Sequence, residues 1–126
     1  MKIDAVAVSS TNMKNTMAFY KLLGFQFDAY DADAQHVEPR TPQGSARLMI
    51  DAASLLADLL GEAPRPGNHA VFALQLASAA EVDRVSAAVK AAGHPLIREP
   101  WDAPWGQRYA IVQDPDGYRI DLYAPH

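Results

Sequence analysis

One order of hydrophobic patterns occurs twice along this chain, and that repetition restricts the fold more than any single motif. Residues 3–9 alternate, with Val6 and Val8 on one side and Ile3, Ala5, Ala7 and Ser9 on the other, which is the period of a strand. Thr11 or Asn12 then offers a side-chain oxygen to cap a helix. Met13, Met17 and Tyr20 recur at helical spacing, Phe19, Leu22 and Leu23 widen the stripe, and Gly24 ends it. Three short strands are expected next, at 25–29, 35–39 and 46–51. In the second copy Ala70, Phe72, Leu74 and Leu76 form one face of a strand, and His69, Val71, Ala73 and Gln75 form the other. Ser78 and Glu81 have capping-box spacing, Val82, Val85 and Val89 make the buried stripe, and Gly93 closes the helix. Strands are expected again at 96–100, 107–113 and 118–123, with Asp114-Pro115-Asp116-Gly117 as the turn between the last two. Gly24 and Gly93 stand 69 positions apart, the spacing of an internal duplication in which little residue identity survives.

The expected class is α+β: two βαβββ modules at 1–52 and 69–126, joined by residues 53–68. Residues 52–60 read as a short helix and GEAPRPGN, 61–68, as the linker proper. A chain of 126 residues with 49% apolar content can bury a real core. A net charge of −4 argues against nucleic acid as a partner, since phosphate binding needs a basic face. The absence of cysteine excludes disulfides, thiolate metal sites and a cysteine nucleophile. No apolar run approaches the ~18 residues of a membrane span, and MKIDAVAVSS lacks the apolar centre of a signal peptide, so a cytoplasmic setting without membrane contact is expected. No nucleophile elbow, phosphate loop or dinucleotide fingerprint is present.

The duplicated pattern, with AFYKLLGF ending the first helix and WGQRYAIVQDPDGYRIDLYAP near the end of the chain, resembles the vicinal oxygen chelate superfamily. That group includes glyoxalase I, extradiol dioxygenases, fosfomycin-inactivating enzymes and bleomycin-sequestering proteins. The resemblance implies that the modules form a cup-shaped, barrel-like mixed sheet with helices outside and ligands within. It also implies a homodimer, an expectation to which an exposed sheet edge contributes. Metal-dependent members place four ligands, usually His and Glu, on the first and last strands of each module. Transferred onto this sequence, those positions fall on Ala5, on Met49 with Asp51 one step further along the face, on His69 or Val71, and on Asp121. A methyl group and a thioether are poor replacements for hard donors. No cofactor is therefore expected; a divalent metal, if held at all, would rest on His69, Asp51 and Asp121, with His36 as an outlying fourth.

Alternation places Ala5, Ala7, Ser9, Met49, Asp51, Val71, Ala73, Gln75, Asp121 and Tyr123 on the concave face. Small residues with few, separated polar groups suit a small-molecule pocket. Trp101 and Trp105 are expected in a Pro-rich loop, EPWDAPWGQR, where indoles can stack on a planar ligand, with Trp101 the better candidate. Tyr109 adjoins Arg108, which either anchors a carboxylate or pairs with Asp102. The carboxylates and the negative charge favour a neutral or cationic ligand. Two functional classes stay open, beside a third in which the protein is a scaffold whose pocket has lost its ligand. One is a metal-free protein that sequesters an aromatic, possibly cationic, small molecule. The other is an enzyme, either a metal-dependent lyase, isomerase or dioxygenase, or a metal-independent acid–base catalyst using Asp121.

Overall fold

A computed structural model describes all residues, 1–126. The chain divides into two compact units, Met1–Pro66 and Gly67–His126. Each unit has its own mixed sheet, of three strands in the first and four in the second, and neither sheet closes on itself.

The first unit runs β1 (Ala5–Ser10), α1 (Met13–Leu22), β2 (His36–Val37), β3 (Arg47–Ala52) and α2 (Ala53–Leu60). The strand order is β1-β3-β2, with β1 parallel and β2 antiparallel to β3. Asn12 is the cap of α1, its side chain accepting from the Asn15 N–H. Phe19 and Tyr20 are fully buried and meet edge to face. Ser10 on β1 and Thr16 on α1 are joined by a buried hydroxyl pair at 2.6 Å. Leu48, Ile50, Val8 and Val37 are the buried side of the sheet. Alternation then sends Ala5, Ala7, Met49 and Asp51 to the opposite side.

The strand expected at 25–29 is reduced to one bridge, Gln26 with Arg40. The one expected at 35–39 is two residues long. The intervening stretch is rich in Asp and offers little apolar surface, so a longer ladder there would bury nothing. Residues 53–60, within the expected join, form the helix α2, which Gly61 ends in the left-handed conformation.

The second unit runs β4 (Ala70–Gln75), α3 (Ala79–Ala91), β5 (Leu96–Ala103), β6 (Gln107–Gln113) and β7 (Arg119–Pro125). The order is β4-β7-β6-β5, with β4 parallel to β7 and the other pairs antiparallel. Ser78 caps α3 by accepting from the Glu81 N–H. Val82, Val85 and Val89 are buried on α3, which packs on β5, β6 and β7. Ala110, Val112, Ile120, Leu122 and Ala124 are fully buried in the same unit. The 114–117 turn is organised by the buried Asp114 carboxylate, which accepts from the N–H groups of Asp116 and Tyr118. Gly117 takes φ +96°, a conformation that side chains oppose.

One expectation changes here. Trp101 lies inside β5 rather than in a loop, because the strand continues through Pro100 to Ala103. β5 is an edge strand, where the missing proline N–H removes no ladder bond from a second neighbour. No helix is long and apolar enough to cross a membrane.

Candidate functional site

In the second unit the cross-strand register sets the site. Trp101 pairs with Tyr109, Tyr109 with Tyr123, and Tyr123 with Gln75, so one row of side chains crosses all four strands. The neighbouring row carries Ile111, Asp121 and Ala73. Directly opposed residues share a face, and this face is the one turned away from the buried Ile120, Leu122 and Ala124. Ala73 and Gln75 belong to it and are exposed; Val71 is exposed too but lies within the register shift between Ala70 and Phe72 and has no partner in the ladder. Four of the sequence-derived candidates, Trp101, Tyr109, Asp121 and Tyr123, thus come together on one sheet face.

The chemistry of that face is aromatic with one carboxylate. Trp101 and Trp105 meet edge to face with centroids 5.6 Å apart, and Trp105 meets Tyr109 at 5.5 Å. Trp105 is 58% exposed and its indole N–H donates to Gln107 Oε1. Trp101 is half-buried, and its indole N–H is buried without an acceptor. The Arg98 guanidinium covers its ring at 4.2 Å from the centroid. Of the two indoles Trp105 therefore offers the freer stacking surface, reversing the order expected from sequence. Tyr109 Oη donates to Asp121 Oδ1 at 2.8 Å. Burial first, then that hydrogen bond to an anion, pushes the Tyr109 phenol up to about 12, so it remains a donor at neutral pH. Arg108 turns to the α3 side and pairs with Asp83 and Asp102. A crevice of about 390 Å³ on that side is rimmed by charges already paired with one another, Arg108 with Asp83 and Lys90 with Glu99.

The first unit presents a different chemistry. Ala5, Ala7, Met49 and Asp51 share one face of its sheet, and His36 sits opposite Asp51 in register. His36 Nδ1 lies 2.6 Å from Asp51 Oδ1, and Nε2 lies 2.7 Å from Glu38 Oε2. Glu38 also accepts from Arg47, which binds Asp4 in turn. The result is a chain of alternating charges, Asp51–His36–Glu38–Arg47–Asp4. From sequence alone His36 stands only at the margin of the site and Glu38 does not stand out. The signal was the pair of polar residues flanking Val37, the alternation of a strand with one buried face.

Asp51 and then Glu38 hold the His36 imidazole above its ordinary 6.5. A folded-state value above the unfolded one stabilises the fold fully below about 6.5, and that contribution fades as pH rises through the higher value. NMR titration is expected to find His36 ionising above 6.5, and His36→Gln to flatten the stability profile across neutral pH. Ionisation at or below 6.5 in the folded protein counts against the two ion pairs.

The donors do not fit the metal centre that the resemblance implies. Ala5 and Met49 occupy two of its positions with no hard donor. A bulge in β4 between Ala70 and Phe72 breaks the alternation linking His69 to Val71. His69 is exposed before the strand, with Nδ1 3.1 Å from the Ala70 carbonyl. Asp51 is engaged by His36 and Asp121 by Tyr109. Nowhere do three His, Asp or Glu side chains form a group able to hold a metal ion.

Solved structures share this fold at low sequence identity. A glyoxalase/bleomycin resistance protein/dioxygenase family enzyme from Burkholderia phytofirmans matches with a TM-score of 0.81, 18% identity and 100% of both chains covered. A glyoxalase-related enzyme from Fulvimarina pelagi gives 0.82 and 20%, covering 98% of this chain and 88% of its own. Lactoylglutathione lyase from Agrobacterium tumefaciens gives 0.71 and 17%, covering 98% and 92%. None of the curated proteins matches the chain in sequence. The family model matches residues 2–122, nearly the whole duplicated pattern, and the chain belongs to the Glyoxalase/Bleomycin resistance protein/Dioxygenase superfamily.

Proposed function

We propose that this protein binds a planar, cationic small molecule on the open face of its second sheet, without a metal, and sequesters it rather than transforming it. The observation that carries this reading is the cluster of Trp105, Trp101 and Tyr109 beside the Asp121 carboxylate. Aromatic faces attract cations and stack on planar rings, and a carboxylate adds the counter-charge. Acid–base catalysis by Asp121 is the weaker reading. Its nearest proton donor is Tyr109, held at about 12, which is far from the operating range of an efficient general acid.

Titration with planar cationic compounds, read by tryptophan fluorescence, tests the proposal. Saturable quenching supports it. Its absence across a panel of such compounds, with turnover of any of them or without, overturns it. Mass spectrometry of the purified protein under native conditions identifies a molecule carried from the cell.

The reading also requires that no divalent metal reside in the protein. Elemental analysis after dialysis is expected to find far less than one zinc, nickel, manganese or iron per chain. A stoichiometric metal would favour the enzyme instead. We further propose a homodimer and a cytoplasmic setting. Light scattering in the micromolar range is expected to give twice the 13.7 kDa chain mass, and a stable monomer refutes the dimer.

A further inference from the structure

Arg98 and Trp101 stand three residues apart in β5, a spacing that puts side chains on opposite faces of a regular strand. Here the register shifts between Leu96 and Arg98 and again between Arg98 and Trp101. Such bulges re-aim side chains, and the second lets Arg98 reach the face that Trp101 occupies. Its guanidinium then lies 4.2 Å from the indole centroid. Arg40, Arg47, Arg65, Arg84 and Arg108 all pair with carboxylates, whereas Arg98 takes an aromatic ring. Arg98 is exposed, so it can leave that ring for solvent without being desolvated elsewhere. Trp105 meets the same indole nearly perpendicular to it, at 88°, and Tyr109 meets Trp105 at 75°.

We infer that the Trp101 ring is a cation seat, that Arg98 is its built-in occupant, and that a ligand bearing an alkylated ammonium group binds by displacing Arg98. The inference rests on the proposed function and adds the ligand's cationic group and the residue that sets its affinity. A quaternary ammonium suits an aromatic face better than a primary one, because it is weakly hydrated and donates no hydrogen bonds that the ring would leave unmet. Arg98 acts as an internal competitor, so the apparent affinity falls by the fraction of molecules in which it covers the ring.

Phenyltrimethylammonium is the probe, titrated against the full-length protein and read by tryptophan fluorescence. Arg98→Met keeps the length of the side chain and removes the charge. It is expected to tighten binding by about two- to thirty-fold, the range of a cation–π contact. Arg98→Lys should fall between Met and the wild type. In NMR spectra of the wild type, the Arg98 side-chain protons should be shifted upfield by the indole and return toward free values as the probe saturates. Wild-type binding that Arg98→Met leaves unchanged or weakens overturns the inference and leaves the proposed function standing. No binding to wild type or variant, by this probe or by the planar cations above, overturns both.

Discussion

Leu122→Ala is expected to lower the stability of the protein by about 2–5 kcal/mol, the range for truncating a buried leucine. Leu122 is fully buried on β7, an interior strand. Ala110 on β6 and Leu74 on β4 flank it in register, and α3 packs across the sheet with Val82, Val85 and Val89 buried. Ala110 has no side-chain length with which to fill a void beside it, so the cavity would stay largely open. The cost therefore contains both the lost transfer energy and the cavity term. Urea denaturation measures it as a shift in midpoint at constant slope. A loss below about 1 kcal/mol would mean that Leu122 is not packed as described. Ligand affinity per folded molecule should barely change, because Leu122 faces away from Asp121 and Tyr123.

That last point depends on alternation, and alternation is what the sequence made legible. Val82, Val85 and Val89 on α3, Ser78 and Asn12 as caps, and Asp114 in its turn all follow local rules that a single chain displays. So does the partition of β7 into Ile120 and Leu122 on one side and Asp121 and Tyr123 on the other. Partners contributed from distant positions were harder to see. Asp121 meets Tyr109 only because β6 and β7 pair in one particular register, and a shift of two residues would keep every face and change every contact. Irregular backbone hid the rest. Nothing in LIREPWDA announces that two register shifts bring Arg98 to the Trp101 ring, or that Pro100 sits within a strand. The bulge at Ala70 likewise separates His69 from the face to which strict alternation would assign it. In the first module the apolar pattern was too thin to hold the strand expected at 25–29, and the polar pair His36 and Glu38 acquired meaning only once β2 lay against Asp51.

Asp121→Asn, one residue from Leu122, should do the reverse: little to stability and much to binding. The amide is the same size, and its oxygen can still accept the Tyr109 hydroxyl that Asp121 Oδ1 accepts now. Only the charge is lost. A cationic ligand beside the partly buried carboxylate should bind more weakly by about 1.5–3 kcal/mol, the scale of a hydrogen bond to a charged group, or roughly ten- to a hundred-fold in dissociation constant. Trp105→Ala should weaken binding by a comparable or smaller factor and remove part of the ligand-dependent quenching, since Trp105 is the more exposed indole. The two substitutions separate the charge from the ring. A planar neutral ligand would feel the loss of Trp105 and ignore the loss of charge at Asp121. A compact cation without a ring would feel the loss of charge at Asp121 and, through its attraction to the indole face, part of the loss of Trp105. Affinity unchanged in both variants, with the fold intact by circular dichroism, means that ligands bind elsewhere and that the aromatic face of the second sheet is not the site.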